Sequence, residues 1–295
     1  MKNSRFEQYF ENVYGSRWGQ LRACLIQNEK QVLRLNKFAG AVNTAEFQPC
    51  GFLQDCFWKP EGYSLKKNEN GLYEFYAMDP ASVIVAESLE VTPGAKVLDL
   101  CAAPGGKSLI LAEKLFLQSK SEQEVVGELI SNEMSDARRD RLMRVFHEYV
   151  PRESRGGVFV KGLDGNQFGL RQPDSFDFVL ADVPCSGERH LLENQSEFQL
   201  WTEKRTKNLS VRQYSLLSSA WFTCKSGGRI VYSTCSISPE ENDRVVAKLI
   251  KKRKPKIIQP KMSNFDFVEK TEHGFQILPD RCGFGPMYFS IIEKV

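Results

Sequence analysis

Histidine, long apolar runs and closely paired cysteines are scarce or absent in this sequence. The three histidines, at positions 147, 190 and 273, are too scattered to suggest a catalytic triad. The eight cysteines include no CxxC pair of the kind that binds zinc, so we predict no metal site. No stretch approaches the ~20 apolar residues of a membrane span, and MKNSRFEQYFENV resembles neither a secretory signal nor a transit peptide. We therefore expect reduced thiols, no membrane association and a cytoplasmic location.

The composition and charge bound the class of protein. The 295 residues are 41% hydrophobic and 26% charged, which is enough apolar content for one large domain and a smaller one. The 40 basic and 37 acidic residues nearly balance, with a net charge of +3. Any surface that binds nucleic acid must therefore be a local basic patch.

Residues 1–75 are predicted to form a small, mainly helical region. The segment FEQYFENVYGSRW, which begins at Phe6, repeats apolar residues at helical spacing until Gly15 interrupts it. A turn-rich piece, KKNENG at 66–71, precedes a more regular part of the chain. We therefore predict an N-terminal region at 1–75 and a second domain at 76–295.

From Asp79 onward, short apolar strands alternate with helical stretches. Asp79 and Pro80 predict a helix start, and KVLDL at 96–100 predicts a buried strand. The continued alternation predicts a mostly parallel, doubly wound, Rossmann-like α/β sheet, whose ligands bind at the carboxyl ends of the strands. The segment FQILPDRCGFGPMYFSII at 275–292 predicts an antiparallel hairpin at one edge.

The loop CAAPGGKS at 101–108 follows the first strand of this sheet and opens a helix. Its small residues let the backbone approach a ligand at the positive end of that helix. The ending GKS resembles a phosphate-binding Walker A loop, which would make the chain an NTPase. Cys101 stands in place of the required first glycine, however, and Pro104 lacks an N–H group that would bind phosphate. The loop therefore favours a ligand other than a nucleoside triphosphate.

Polar residues at the next two strand ends favour an adenosine-type cofactor. Glu133 follows the second strand, where a carboxylate can accept both hydroxyls of a ribose. Asp164 follows the third strand and can accept from an exocyclic amine, and Gly165 permits the close approach of a flat ring. Each of these residues, taken alone, is equally well explained as a turn residue. Their positions at successive strand ends favour the cofactor.

Cys235, in VYSTCS, is a candidate nucleophile at the end of another strand. Ser238, Pro239 and Glu241 predict a capping-box start of the next helix, three residues beyond Cys235. A helix N-terminus favours a thiolate over a thiol, as a nucleophile requires. We therefore predict that Cys235 attacks the substrate.

Cys185, in DVPCSGERH, follows Asp182 by three residues. A nearby carboxylate disfavours a second negative charge and should raise the pKa of this thiol. Cys185 therefore suits proton exchange better than attack. The alternative role of a free cysteine is that of a small buried apolar residue, and we assign it to Cys24, Cys224 and Cys282.

The motifs CAAPGGK, DVPCS and STCS, with an acidic residue after the second strand, occur together in one family. The chain resembles that family, the RNA cytosine-5 methyltransferases of the Nop/Sun group, over residues 76–295. YGSRWGQLR and GFGPMYF are most similar to the compact mitochondrial rRNA and tRNA members, which lack a separate PUA RNA-binding domain. The resemblance implies a class I methyltransferase fold, S-adenosylmethionine as cofactor, and a cytidine in RNA as substrate, with rRNA favoured and tRNA as the alternative.

The resemblance also implies a role for each motif residue. Cys235 is implied to be the nucleophile, Cys185 to assist product release, and Asp182 to hold the target base beside the cofactor. Lys107 is expected to orient Asp182. The other implied cofactor-binding residues are Cys101, Ala102, Ala103, Pro104, Gly105, Gly106 and Lys107 at the methionine part, Glu133 at the ribose, Arg138 beside the cofactor, and Asp164 with Gly165 at the adenine.

Three basic segments are candidates for binding RNA, at 137–144, 203–212 and 251–256. Each is otherwise a solvated helix face, and of the three we expect 203–212 at the site. We expect residues 1–75, a partner protein or a ribosomal particle to aid RNA recognition, and a monomeric enzyme. Two further hypotheses are an inactive RNA-binding assembly factor, which has no use for the two cysteines, and a cytosine-5 DNA methyltransferase, which does not explain STCS.

Overall fold

The structure is a computed structural model and describes residues 3–27, 30–117, 127–261 and 265–295. The helices are α1 (Ser4–Tyr14), α2 (Trp18–Leu25), α3 (Pro80–Glu87), α4 (Gly106–Phe116), α5 (Asp136–Tyr149), α6 (Phe168–Arg171), α7 (Glu188–Glu193), α8 (Gln195–Gln199), α9 (Glu203–Thr223), α10 (Asp243–Arg253) and α11 (Pro279–Cys282). The strands are β1 (Val32–Leu35), β2 (Cys56–Trp58), β3 (Phe75–Met78), β4 (Lys96–Asp99), β5 (Glu128–Asn132), β6 (Val158–Lys161), β7 (Phe176–Asp182), β8 (Cys224–Thr234), β9 (Lys256–Ile258), β10 (Val268–Lys270), β11 (Phe275–Ile277) and β12 (Met287–Glu293). Among the described residues, no helix combines the length and the apolar character that crossing a membrane requires.

The centre of the fold is a run of parallel strands in the order β8, β7, β4, β5, β6. β4 comes first of these in the chain but lies in the middle, so the strand order reverses between β4 and β7. Ligands bind in the crevice that such a reversal creates at the carboxyl ends of the strands. The predicted parallel, doubly wound sheet is confirmed.

The C-terminal part of the chain adds antiparallel strands to this sheet. β12 pairs with β8, β11 pairs with β12, and β10 pairs with β11. β9 also pairs with β12. The expected edge hairpin is confirmed as β11 and β12, with the short helix α11 in their connection.

Two apolar layers, one on each face of the sheet, form the core. Successive side chains of a strand point to opposite faces, so Val97 of β4 belongs to one layer and Leu98 to the other. α3 and α4 cover the first layer, through residues such as Leu111. α9 and α10 cover the second, through residues such as Leu217. Helices on both faces leave the carboxyl ends of the strands open for a site.

The first two helices pack against the insert that follows β7. Phe6 and Phe10 of α1 and Trp18 of α2 form an aromatic cluster with Phe198 and Trp201. Asp79, which lies outside this cluster, caps α3 as predicted, by accepting from the Ala81 N–H at 2.6 Å. The predicted helices are therefore present, and α1 packs against the segment that follows DVPCS.

The N-terminal region also contains a small sheet that the sequence analysis did not predict. β1 pairs antiparallel with both β2 and β3. These strands are only three or four residues long and are separated by long loops, so the sequence carries no sustained alternation. Because β3 spans Phe75–Met78, the strand crosses the predicted domain boundary at residue 75, which stays a prediction.

A buried ion pair joins this small sheet to the helix that follows the glycine loop. Arg34 of β1 lies 2.6 Å from Glu113 of α4, and both side chains are at most 3% exposed. Removing either partner would leave a buried charge without compensation, which is strongly destabilising. The N-terminal sheet and α4 are therefore held in a fixed relation.

Candidate active site

Two loops carry cysteines at the carboxyl ends of β7 and β8. Asp182 of β7 is paired in register with Ser233 of β8, so the residues that follow them lie side by side. Cys185 and Cys235 follow these strand ends, and their Sγ atoms lie 2.9 Å apart. Both are free thiols, and Cys235 is exposed whereas Cys185 is half-buried. The predicted convergence of the two motifs is confirmed.

The surroundings of Cys185 resist ionisation of its thiol. The contact with Cys235 and burial raise the pKa of Cys185 well above its usual value of ~8.5, and the carboxylates of Glu241 and Glu188 add to the effect. The predicted direction is confirmed. The predicted cause was wrong, because the acidic charges come from Glu241 and Glu188 rather than from Asp182.

The helix that was expected to begin beside Cys235 begins later. α10 starts at Asp243, and its N-cap residue Asn242 makes no side-chain capping bond. The predicted capping box at Ser238, Pro239 and Glu241 was therefore wrong, because the Glu241 side chain is engaged by Ser186 and Gln213 instead. The helix-end argument for a Cys235 thiolate loses its basis.

The segment after Cys235 is held by the first helix of the chain. Tyr14 donates its hydroxyl hydrogen to the carbonyl oxygen of Ile237 at 2.7 Å. The Tyr9 hydroxyl lies 2.8 Å from the Ser238 hydroxyl. α1 therefore contributes two contacts to the loop that follows the candidate nucleophile.

Asp182 ends β7 and is bound from two sides. Lys107 donates to Oδ2 at 2.8 Å, and Ser233 donates to Oδ1 at 2.7 Å. Burial acts to lower the pKa of Lys107, but the Asp182 carboxylate outweighs burial and the pKa is raised. The Asp182 side chain is 26% exposed, so its remaining lone pairs can reach a ligand. The expected contact between Lys107 and Asp182 is confirmed.

A cavity beside Asp182 is lined by the loop between β4 and α4. Residues 101–107 form one wall, as predicted for a cofactor loop. Gly105 has the left-handed φ of 119° at the N-cap of α4. A Cβ on Gly106 would lie 2.6 Å from Cε1 of Tyr76, so a side chain there would displace that ring. The glycines therefore leave room where the backbone faces the cavity.

The cavity is also lined by residues that were not predicted from the sequence. Tyr76 and Met78 come from β3, the strand of the unpredicted small sheet, and Ser82 comes from α3. Nothing in the local pattern around these residues marks them as part of a site. Their place in the wall depends on how the small sheet packs against the parallel one.

Asp99 is a further cavity residue that was missed. Its carboxyl is 1% exposed, and Ser108 donates to Oδ2 at 2.6 Å, whereas Oδ1 has no hydrogen-bond partner. Burial above all, opposed by Ser108 and reinforced by the charge of Asp182, raises the pKa of Asp99 to about 7. Buried polar atoms are normally hydrogen-bonded, so this oxygen fits a donor from a bound molecule. An acid at the end of KVLDL was the available signal.

Glu133 lies at the end of β5, as predicted, with one oxygen available to a ligand. The side chain is buried, and Oε1 accepts from the Ser135 N–H at 2.9 Å. Oε2 has no hydrogen bond, although Nη1 of Arg138 is 3.3 Å away. Arg138 also donates to the carbonyl oxygen of Ala103 at 2.8 Å and so links Glu133 to the glycine loop. A carboxylate oxygen that accepts no hydrogen bond here fits a hydroxyl donor such as a ribose.

Asp164 and Gly165 follow β6 and lie outside the wall of the cavity described above. Asp164 Oδ1 accepts from the backbone and side chain of Asn166 at 3.1 and 2.9 Å. A Cβ on Gly165 would lie 2.8 Å from Leu216, so glycine is needed for packing against α9. Their roles at an adenine stay predictions, because the structure gives each residue a local role of its own.

The three basic segments lie on three different helices. Residues 137–144 belong to α5, 203–212 to α9, and 251–253 to the end of α10. On α9, Gln213 donates to the carbonyl oxygen of Pro184 at 3.0 Å, directly before Cys185. At the end of α10, the ammonium of Lys252 lies over the Tyr214 ring of α9, 5.0 Å from the ring centre. Residues 203–212 directly precede Gln213 on α9, and their place at the site stays a prediction.

Within the described ranges, no group of three His, Cys, Asp or Glu side chains is arranged to hold a metal ion.

Comparison with known proteins identifies the family. A family model described as 16S rRNA methyltransferase RsmB/F matches residues 86–293. The bovine (Bos taurus) protein named 5-cytosine rRNA methyltransferase NSUN4 is 38% identical in an alignment of 236 positions that covers 74% of this chain and 59% of that protein. The zebrafish (Danio rerio) protein named mitochondrial tRNA (cytosine(34)-C(5))-methyltransferase is 30% identical over 98% of this chain and 86% of its own length.

Solved structures support the fold. A methyltransferase homologue from Pyrococcus horikoshii has a TM-score of 0.79 at 21% identity, covering 100% of this chain and 96% of its own. NSun6 from the same organism, solved with SFG, has a TM-score of 0.74 at 17% identity, covering 99% and 98%. Asp99 and Glu133 each have a carboxylate oxygen that accepts no hydrogen bond, and with the open glycine loop they fit a cofactor that carries hydrogen-bond donors. The chain therefore belongs to the RsmB/F family of methyltransferases, and family and fold together imply S-adenosylmethionine as its cofactor.

Proposed function

We propose that this protein methylates carbon 5 of a specific cytidine in RNA, with S-adenosylmethionine as donor and a covalent adduct at Cys235. The observation that carries the proposal is the 2.9 Å contact between Cys185 and Cys235. Asp182 connects this pair to the cofactor cavity. It lines the cavity and accepts a hydrogen bond from Ser233 of β8, the strand that leads into Cys235. The site thus joins a nucleophile, a proton carrier and a hydrogen-bonding carboxylate.

Carbon 5 of cytosine is a weak nucleophile, which is why a thiol is needed. The Cys235 thiolate adds to carbon 6 and forms an Sγ–C6 bond, and the π electron pair of the C5–C6 bond makes carbon 5 nucleophilic. Cys235 suits this step because it is the exposed member of the pair. A target base must leave its stack to reach such a loop, which favours single-stranded or flipped nucleotides.

Asp182 holds the base while charge develops on its ring. N3 takes up a proton from water as the adduct forms, and the Asp182 carboxylate accepts a hydrogen bond from that N–H. Lys107 and Ser233 fix the carboxylate beforehand, so it needs no reorganisation when the reaction occurs. The N3 proton returns to water when the adduct breaks down.

The cofactor supplies the methyl group for carbon 5. Residues 101–107 would hold its methionine part, and Glu133 would hold the ribose hydroxyls. Arg138 would keep Glu133 and the glycine loop together. Asp99, whose Oδ1 has no partner, would accept a hydrogen bond from the bound molecule.

Cys185 completes the reaction by accepting the proton from carbon 5. Its own resting proton passes to water first, so it acts as a thiolate at this step. The C5–H electron pair then re-forms the C5–C6 double bond, and the Sγ–C6 bond breaks to return the Cys235 thiolate. One proton is released to water in each turnover.

Adduct trapping tests the assignment of the two cysteines. Cys185→Ala, incubated with total RNA and S-adenosylmethionine, should accumulate a covalent RNA adduct that survives SDS, whereas Cys235→Ala should form none. Cys224→Ala is the matched control, because Cys224 is a buried cysteine at the other end of β8, and it should behave like the wild type. An adduct with Cys235→Ala and none with Cys185→Ala would overturn the assignment.

We propose rRNA as the substrate class, with tRNA as the alternative. The family description and the name of the bovine relative both specify rRNA, whereas the name of the zebrafish relative specifies tRNA. Bisulfite sequencing of total RNA from cells lacking the gene, compared with the parent cells, identifies the modified cytidine. Loss of methylation in tRNA alone would contradict the rRNA proposal.

We also propose that the exposed face of α9 binds the RNA backbone. Lys204, Lys207 and Arg212 are exposed there, and Gln213 on the same helix contacts the Cys185 loop. Lys204→Ala with Arg212→Ala should weaken RNA binding and reduce its dependence on salt. Lys248→Ala with Lys251→Ala, which removes two exposed charges from α10, is the matched control and should leave affinity unchanged. Equal losses in the two double variants would contradict the proposal.

A further inference from the structure

Two fully buried glutamates lie behind the cysteine pair. Glu188 is the first residue of α7, in the loop region of Cys185, and Glu241 lies in the turn before α10, in the loop region of Cys235. Both are 0% exposed. The Ser186 hydroxyl is within hydrogen-bonding distance of both carboxyl groups. Glu241 was predicted only as a capping residue, and Glu188 was not predicted as a site residue.

The hydrogen bonds of this pair cross from one loop to the other. Glu241, from the Cys235 side, accepts from the backbone N–H of Ser186, the residue after Cys185, at 2.9 Å. Glu188, from the Cys185 side, accepts from the backbone N–H of Ile237 at 2.9 Å. Each carboxylate therefore holds the opposite loop, and the distance between the two sulfurs depends on both.

The contacts of the Ser186 and Ser236 hydroxyls with the two carboxyl groups need more hydrogens than the hydroxyls supply. Ser186 Oγ contacts Glu188, Glu241 and Ser236, and Ser236 Oγ also contacts Glu188 at 3.0 Å. Each of these four contacts needs a hydrogen, but the two hydroxyls supply only two. Ionised carboxylates supply none. A proton shared between the glutamates reduces this deficit, so the geometry fits a pair that holds one.

The charges around the pair point the same way. Among the described residues, no Lys or Arg forms a hydrogen bond or ion pair with either carboxylate. Burial, followed by the charge of Glu241, raises the pKa of Glu188 to about 7, and burial also raises the pKa of Glu241. The other titratable groups that face the pair are Tyr9 and Tyr14 from α1, Tyr232 from β8, and Cys185 with its neighbour Cys235.

We propose that Glu188 and Glu241 are positioning residues, a crossed acid pair that sets the Cys185–Cys235 distance and keeps Cys185 a thiol until product release. Their charges contribute to the raised pKa of Cys185, which makes its thiolate a strong base. The part that concerns product release rests on the proposed function. The part that concerns the proton state of Cys185 does not.

Alkylation of the full-length chain tests the proton state. Iodoacetamide labelling across pH, read by peptide mass spectrometry, gives the pH midpoint of Cys185. Cys185 titrates above the pH at which the pair loses its shared proton, so Glu188→Gln and Glu241→Gln each remove one negative charge in that range. Each should lower this midpoint by about one pH unit, and the double variant should lower it further. Glu188→Asp keeps the charge and should stay near the wild-type midpoint. Either single variant carries the test if the other does not fold.

A neighbouring carboxylate provides the matched control. Glu240 forms an ion pair with Arg244 and takes no part in the crossed bonds. Glu240→Gln should therefore leave the Cys185 midpoint unchanged. Equal midpoints in the wild type, Glu188→Gln and Glu241→Gln would overturn the proposal, and so would an equal shift in Glu240→Gln.

Single-turnover assays separate this inference from the proposed function. The Gln variants disturb the crossed bonds that set the sulfur–sulfur distance. They should therefore still form the Cys235 adduct but release it about tenfold more slowly than the wild type, with the KM for RNA unchanged. If the wild type forms no adduct, the proposed function fails while the alkylation result still decides the proton state. If adduct release in the variants is as fast as in the wild type, the role in release is wrong and the proposed function stands.

Discussion

The Sγ atoms of Cys185 and Cys235 lie 2.9 Å apart on loops that leave the neighbouring parallel strands β7 and β8. Fifty residues separate the two positions in the chain, so the contact is a product of the sheet and not of local sequence. Two thiols at this distance can share a proton, and they can also be joined by an oxidant.

Oxidation should therefore inactivate the protein reversibly. Diamide takes two electrons and two protons from a thiol pair, and we expect it to join Cys185 to Cys235. Methyl transfer should be lost and should return with dithiothreitol. Peptide mapping by mass spectrometry identifies the bond, and Cys185→Ala should form none at this position. A linked peptide of Cys50 and Cys56 in its place would contradict the expectation.

Stability should fall as the pH rises through the titration of Glu188. The pKa of this carboxyl is raised from the ~4.3 of an unfolded chain to about 7 by burial first and by Glu241 second. The folded state therefore binds the proton more tightly, and the stability it gains is complete below pH ~4.3 and lost as the pH approaches 7. Denaturant unfolding from pH 5 to 8 should show this decline in the wild type and a weaker one in Glu188→Gln.

Asp99 provides the comparison for that measurement. Its pKa is also raised to about 7, mainly by burial, so it titrates in the same window. Asp99→Asn should remove its own share of the decline and leave the share of Glu188. A wild-type curve that rises between pH 5 and 7 would contradict both assignments.

Gly106→Ala should weaken cofactor binding. The added Cβ would lie 2.6 Å from the Tyr76 ring, and both residues line the cofactor cavity. Displacement of that ring should lower the affinity for S-adenosylhomocysteine at least ~10-fold in calorimetry, a cost of ~1.4 kcal/mol. Gly156→Ala is the control, because its Cβ would meet nothing within 4 Å. Equal affinities for the two variants would contradict the position of the cofactor.

Asp182→Asn should slow methyl transfer more than it weakens cofactor binding. The amide cannot accept at both oxygen positions, so one of the bonds from Lys107 and Ser233 is lost and the base loses its charged acceptor. We expect a decrease of ~10²-fold or more in kcat, with cofactor affinity within tenfold of wild type. Asp177→Asn is the matched control: Asp177 also lies on β7 and pairs with a lysine, at 2.6 Å from Lys225, but at the other end of the strand.

The features that could be predicted from the sequence are those determined by residues that are adjacent in the chain. The alternation of strands and helices predicted the parallel sheet, and motifs that directly follow strands were placed correctly at its carboxyl edge. Glu133, Asp182, Cys185 and Cys235 are all of this kind, because a parallel strand fixes where the next residues begin. The class of cofactor followed from the order of such motifs.

The features that could not be predicted depend on partners far away in the chain. Glu241 resembled a capping residue in its local context, but its side chain binds Ser186 and Gln213 instead. Gly165 packs against the Leu216 side chain of α9, a contact that its own loop sequence does not indicate. Tyr76 lines the cavity but lies on β3, a strand of four residues that is too short to show the alternation of apolar and polar residues typical of a strand. No local window contains these partners.

The two tyrosine contacts of α1 bear on which fragments of the chain keep an ordered reactive loop, and on how a binding partner could regulate that loop. The family model begins its match at residue 86, yet Tyr9 and Tyr14 brace the residues that follow the proposed nucleophile. The first helix thus restrains the loop that follows Cys235, and it also packs over the rings of Phe198 and Trp201. A fragment limited to residues 86–293 would lack these two contacts. A binding partner that displaced α1 would remove them too, and it would make the loop more mobile without changing the residues of the cofactor cavity.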